Sequence, residues 1–288
     1  MKKILLSVSL LLMLVACAKT DQVAISNADE VIYSSDSLKY TKQDLFTDMR
    51  KNDYSSKIVS SILNKTAELD NIDISSTEEE LAEGYDYYVE MLGQESVEYY
   101  FGSKENYINS YKTSEIIAAY FENEIDDDYA TFVEEYKPYK AEIIYFDDEA
   151  SADATIELYN SGENTFAYAA SENGYSSEVS AKIYTDKSDL PVDVKSLVLN
   201  ASEPGVSKVI TSTVQTDNNG TSVTKERYYV VNIISLDTEE IKDEFKQHLV
   251  DTYLDASAIV AKVLNDHNVK FYDQTTYDIM KEAYPGIN

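Results

Sequence analysis

Chemistry has few places to reside in this chain. Of 288 residues, only Cys17 offers a thiol, only His248 and His267 an imidazole, and only Arg50 and Arg227 a guanidinium. The two histidines stand nineteen residues apart, far from the i, i+4 spacing that turns two imidazoles toward one zinc ion. They read as surface or boundary residues, and no metal is expected. The stretch from Gln215 through Asp217, Asn219 and Gly220 to Glu226 follows a calcium-loop spacing except at its first position, where Gln215 replaces an acid. With β-rich flanks it reads as a hairpin turn. Acid runs at Glu78-Glu79-Glu80 and Asp126-Asp127-Asp128 read as solvated faces or helix starts. No Gly-x-Ser-x-Gly, P-loop or dinucleotide fingerprint occurs, so hydrolase, nucleotidase and dehydrogenase readings have no support and no cofactor is expected. With 53 acidic against 24 basic side chains the formal charge is −29. Phosphate contacts need clustered Lys and Arg, so nucleic acid is not a partner.

Cys17 has a context. Met1-Lys2-Lys3 precedes an apolar run from Ile4 to Ala16 broken only by Ser7 and Ser9, a charged n-region and a secretory h-region too short for a comfortable membrane span. Its end, Leu14-Val15-Ala16-Cys17, resembles a bacterial lipoprotein signal. The resemblance implies cleavage after residue 16, diacylglyceryl transfer to Cys17, and anchoring at the extracytoplasmic face of the membrane, with residues 17–30 as a small, polar tether. An uncleaved anchor and an ordinary signal peptide are the alternatives. Either way one cysteine forms no disulfide within the chain.

The elements that must position any site follow from periodicity and capping. All four prolines lie at or beyond Pro138, which frees the first half for uninterrupted helix. Val31-Ile32-Tyr33 reads as a short strand, and Thr41 as the cap of a helix carrying Leu45, Phe46 and Met49. Further helices are expected at about 54–70, after a capping box at Ser76-Thr77-Glu78-Glu79, and from Ser103 through Phe121. Texture changes at Pro138. Lys140–Phe146 has strand propensity, Asp147 or Asp148 caps a helix ending at Gly162, and Phe166 opens another. Val206–Val214 and Val223–Ile234 form two β-rich runs. That order of strand, helices, strand, strand is an α+β unit of about 100 residues. Asp237, with Glu240 closing a capping box, begins a final helix expected to continue through Phe245, Leu249, Tyr253, Ile259 and Val263, followed by an extended Val269–Tyr272 and one more short helix.

Three stretches together are similar to the PrsA-like extracytoplasmic foldase lipoproteins, relatives of the periplasmic chaperone SurA. The first is Val31–Tyr33 running into Tyr40-Thr41-Lys42-Gln43-Asp44-Leu45. The second is 138–236, which resembles a parvulin-type peptidyl-prolyl isomerase domain through Gly162-Glu163-Asn164-Thr165-Phe166-Ala167-Tyr168-Ala169, Leu190-Pro191 and Pro204-Gly205-Val206-Ser207. The third is the tail, Val263-Leu264-Asn265 and Val269–Asp273. The resemblance implies an α+β chain: mostly helical segments at 28–137 and 237–288 forming a chaperone body, with an inserted parvulin-like (FKBP-like) domain at 138–236.

The departures bear on mechanism. Parvulins carry a histidine in the first strand, in an S-H-I-L-V pattern, and another in the last, in a Y-H-I-I pattern. Aligned here, Glu142 takes the first position and Tyr229 the second, while Glu178 takes the place of a central Cys or Asp. Lys182-Ile183-Tyr184-Thr185 replaces a glycine-rich turn, and the substrate pocket is represented by Val194, Leu199 and Phe166. Rotating an X–Pro amide crosses a barrier of about 18–20 kcal/mol without breaking a bond, so catalysis means favouring the twisted amide through a dry pocket and a few oriented hydrogen bonds. Glu142, Glu178 and Tyr229 either form a substitute network or are polar residues on a domain that has lost its activity.

The function expected is a membrane-anchored extracytoplasmic foldase or chaperone, weak or inactive as an isomerase. Its partners are unfolded or partly folded exported polypeptides and the membrane through acylated Cys17; homodimerisation is left open. An active isomerase and a lipoprotein adhesin or scaffold are the alternatives. Twenty-five tyrosines and no tryptophan, with Tyr85, Tyr87, Tyr88, Tyr99, Tyr100, Tyr107 and Tyr111 on the helical half, fit a client-holding surface and a helical core equally well.

Overall fold

The computed structural model describes residues 29, 31–34, 39–41, 54–216, 222–271 and 274–288. Cys17 with its signal and tether, the helix expected after Thr41, and the 217–220 turn lie outside the described residues. Thr41 itself ends a short strand: β1 (Val31–Ser34) pairs antiparallel with β2 (Lys39–Thr41). Among the described residues no helix is long and apolar enough to cross a membrane. The chain is α+β and divides into two compact units, Met1–Glu124 with Val250–Asn288, and Ile125–Leu249.

The first unit is helical: α1 (Tyr54–Asp70), α2 (Glu78–Leu92), α3 (Gln94–Phe101) and most of α4 (Lys104–Asp127). Helix α2 starts one residue later than the Ser76 box predicts. Thr77 caps it, its hydroxyl accepting from the Glu80 N–H at 3.2 Å while the Glu80 carboxylate accepts from the Thr77 N–H at 2.8 Å. Ser76 is diverted, because its N–H donates to Glu115 at 3.1 Å and its hydroxyl bonds the same carboxylate. Leu81, Tyr85, Val97, Tyr107 and Tyr111 form the core here. Tyr107 is fully buried, with the rings of Phe101, Tyr85 and Tyr88 set edge-on at 4.9, 5.4 and 6.1 Å and Tyr111 tilted at 4.4 Å. Desolvation pushes the Tyr107 phenol up to about 12. Gly84 faces it, and a Cβ there would lie 2.9 Å from the Tyr107 hydroxyl.

The C-terminal helix expected to be continuous is two. In α9 (Lys242–Tyr253) and α10 (Ala256–Asp266) the chain breaks at Asp255, whose extended backbone lets its carboxylate accept from the N–H groups of Ser257 and Ala258 at 3.0 and 3.1 Å. A second N-cap inside an apolar pattern ends one helix by starting another. The box at Asp237 is likewise half made: Asp237 accepts from Glu239 N–H at 3.0 Å, but Glu240 accepts from the Ser235 hydroxyl at 2.6 Å instead of from residue 237. Helices α10 and α11 (Gln274–Ala283) pack against α1. At their junction Asp70 accepts from the Tyr120 hydroxyl at 2.6 Å and meets His267 Nε2 at 2.8 Å. Tyr120 foremost, then His267, hold the Asp70 carboxyl below its ordinary range.

The second unit contains α5 (Tyr129–Tyr136), β3 (Tyr139–Phe146), α6 (Glu149–Asn160), α7 (Phe166–Glu172), β4 (Lys182–Tyr184), α8 (Val192–Leu199), β5 (Gly205–Thr216) and β6 (Ser222–Ser235). Asp148 caps α6 through the Ser151 N–H at 2.9 Å, and Thr165 caps α7 through the Tyr168 N–H at 3.1 Å. The sheet order is β4-β3-β6-β5, antiparallel throughout. Strand β4, formed by the residues that replace the glycine-rich turn of the resemblance, is three residues long. Successive side chains alternate faces, and both faces are covered. Helix α8 packs Val194 and Val198 on Tyr139, Ala141, Tyr229, Val231 and Ile233. Helices α6 and α7 pack Ala152, Phe166 and Ala170 on Ile144, Phe146 and Val230. The rings of Tyr129 and Tyr136 hold Phe245 at 6.2 and 6.3 Å, so α5 and most of α9 belong to this unit.

Candidate functional site

The central strands β3 and β6 set the site by register. Glu142 stands opposite Asn232, Ile144 opposite Val230, and Tyr145 opposite Tyr229. Glu142 and Asn232 project to the face that carries Ile144 and Phe146, beneath α6 and α7. The Asn232 amide donates to the Glu142 carboxylate at 2.8 Å. Asn232 is buried and Glu142 half-buried. Only the NH2 end of an amide can donate to a carboxylate, so this bond fixes the amide's orientation. The result is a cross-strand polar pair beside the apolar cluster of Ile144, Phe146 and Val230.

Tyr229 lies on the other face. It is buried against Val194 and Val231 under α8, and its ring is 5.6 Å from Tyr145. Beyond it the Arg227 guanidinium sits 4.2 Å above the Tyr145 ring, an attraction between a cation and the negative face of an aromatic. The sheet therefore separates Glu142 from Tyr229. Glu178 is exposed, in the segment joining α7 to β4. Of the pocket residues, Val194 is fully buried on the α8 face, Phe166 is buried on the α6–α7 face, and Leu199 is exposed at the end of α8. Val194 and Tyr229 come together, whereas Phe166 and Val194 occupy opposite layers.

Asn232 is the residue that sequence reasoning missed, and a signal for it was present. Asn232-Ile233-Ile234 fits the H-I-I of the last-strand pattern, with Asn232 at the histidine position, three residues beyond Tyr229. An odd offset along a strand reverses the face, and the register with Glu142 selects Asn232. A carboxylate and an amide thus pair across β3 and β6, the two strands in which the resemblance implies imidazoles. Such a pair can hold a hydrogen-bond network in shape, but it contains no imidazole.

The tyrosines of the helical unit divide. Tyr85, Tyr107 and Tyr111 are buried, whereas Tyr87, Tyr99 and Tyr100 are exposed at 56%, 84% and 68%. Core and surface readings each hold for part of the set.

No profile of a known protein family matches the sequence. Foldase protein PrsA of Streptococcus mutans serotype c is 24% identical over 295 aligned residues, spanning 93% of this chain and 83% of that protein. Solved structures that align are the foldase PrsA of Streptococcus pneumoniae, at 16% identity, TM-score 0.47, and 88% and 99% of the two chains, and the peptidylprolyl isomerase PrsA of Bacillus cereus, at 15%, 0.43, and 90% and 99%. The sequence similarity to the streptococcal protein extends over nearly the full length of this chain.

Proposed function

We propose that this chain is an extracytoplasmic foldase, anchored to the membrane through acylated Cys17, that holds exported polypeptides while they fold. One observation carries the reading: similarity to a protein named as a foldase runs through 93% of the chain, including both the helical and the sheet segments. In this reading residues 28–137 and 237–288 form the client-holding body and 138–236 the parvulin-like unit. Exposed Tyr87, Tyr99 and Tyr100 offer apolar faces with polar tips for weak, reversible contacts. The charge of −29 keeps holder and client soluble.

The isomerase activity is weak or absent. Glu142 and Asn232 bond to one another, and neither is the imidazole that the resemblance implies for an active parvulin site. A second reading, an active isomerase, draws on the same pair, since a polar contact kept inside an apolar face costs desolvation that packing alone would avoid. Two measurements on the full chain decide. Substoichiometric suppression of aggregation of a denatured model protein supports the foldase reading, and failure to suppress it removes that reading. Proline-tetrapeptide exchange as fast as that of a histidine-bearing parvulin reverses the statement about isomerase activity. Release of the chain from membranes by Cys17→Ala tests the anchor.

A further inference from the structure

The four-stranded sheet ends on two unlike edges. Outer strand β4 is three residues long, and a short edge offers little to pair with. Outer strand β5 runs for twelve residues, about 40 Å at the usual rise. Its ladder with β6 is continuous from Gly205 opposite Ile233 to Thr216 opposite Ser222, without a bulge. The strand contains no proline, and its one ionisable side chain is Lys208. That lysine is already answered by Glu149 Oε1 at 2.7 Å and Asp153 Oδ1 at 2.6 Å. Ile210 is 48% exposed beside it. Among the described residues no strand pairs with the outer side of β5. Of the devices that blunt an edge (shortness, bulge, proline, unpaired charge), β5 uses none fully.

We propose that the β5 edge is a docking site for an extended segment of another polypeptide, added as a fifth strand. Unpaired edge N–H and C=O groups recognise extended backbone and ask little of its sequence. Charge selects among extended segments. Two carboxylates face one ammonium at the rim, on a chain of net charge −29, so the occupant is free of acids and carries Lys or Arg among β-branched residues. The same charge opposes pairing with a second copy of the chain. The inference deepens the foldase reading by naming the class of client segment held by this unit, and its test is independent of refolding assays.

The test is amide hydrogen exchange of the full chain at low salt with three synthetic decapeptides. One alternates Thr, Val and Lys; the second is the same peptide N-methylated at every residue; the third has Glu for Lys. The first peptide is expected to slow exchange in β5 by about tenfold or more at saturation, leaving β4 unchanged. The N-methylated peptide gives no protection, because it lacks backbone donors. The Glu peptide binds at least about tenfold more weakly, and added salt narrows that difference. Absence of β5 protection by the first peptide overturns the proposal, as does equal protection by the N-methylated one. Concentration-dependent β5 protection without peptide also overturns it and assigns the edge to self-association. Loss of aggregation suppression with β5 protection intact would remove the foldase reading and leave the edge site standing.

Discussion

The two compact units place polar atoms in their interiors in different ways. The helical unit buries phenols: Tyr85, Tyr107 and Tyr111 fill its core as rings first and hydroxyls second. The sheet unit also buries the rings of Tyr139, Phe146 and Tyr229, and it adds to its aliphatic layers a cross-strand carboxylate–amide pair. In the first, stability resides in ring area and edge-to-face geometry, and burial pushes the Tyr107 and Tyr111 phenols up. In the second, the polar pair contributes little area and constrains orientation, as a site does.

Substitutions can break that contrast. Tyr107→Ala empties the centre of the aromatic cluster and is expected to cost roughly 3–5 kcal/mol in urea denaturation followed by tyrosine fluorescence, whereas exposed Tyr99→Ala should stay within about 0.5 kcal/mol. Equal losses would mean the cluster is not the core of its unit. Asn232→Ala leaves the Glu142 carboxylate without its donor and should cost about 1–3 kcal/mol. A double-mutant cycle with Glu142→Ala should return a coupling of about 0.5 kcal/mol or more, and a value near zero would show the contact to be incidental. Thr77→Ala should cost about 1 kcal/mol through the lost cap, and Ser76→Ala distinctly less, since Ser76 does not cap α2.

Asp70 gives the smallest effect and the one with a pH sign. Its folded-state carboxyl titrates below its unfolded value, with Tyr120 the largest cause. Its contribution is therefore fully present above the unfolded pKa of about 3.9 and fades as pH falls through the lower folded value. Stability measured from pH 7 down to pH 3 should decline less steeply in Asp70→Asn than in the parent chain. An unchanged acid limb would show that the Tyr120–Asp70–His267 cluster does not differ from the unfolded state in proton affinity.

Sequence reasoning reached the elements through patterns with long periods and strong caps. The helix over 54–70, the Ser103 start, a cap at Asp147 or Asp148 and the helix opening at Phe166 are written in local chemistry. It fell short where two local signals competed. Ser76 and Thr77 are both cap residues followed three places later by Glu, and only the distant Glu115 decides between them. Asp255 sits inside an apolar repeat that promises continuity, and its capping power is stronger than the repeat. Strand β4 is too short to show a period. The site failed for a related reason: Glu142 was placed by a local pattern, but its partner is set by strand register. Two patterned residues on β6, Tyr229 and Asn232, differ by a face, and sequence alone does not reveal which face a strand turns toward its neighbour.

Gly84 and Tyr107 carry a consequence for the order in which this sequence can change. Position 84 is held at glycine by the terminal oxygen of a ring that its neighbours do not allow to swing away. Gly84→Ala alone is blocked, although alanine in mid-helix would be favoured by up to about 1 kcal/mol. Once Tyr107 becomes phenylalanine the obstruction is gone and the alanine turns from harmful to helpful. The pair thus works as a ratchet in sequence space, and after both changes reversion at 107 would meet the new methyl group.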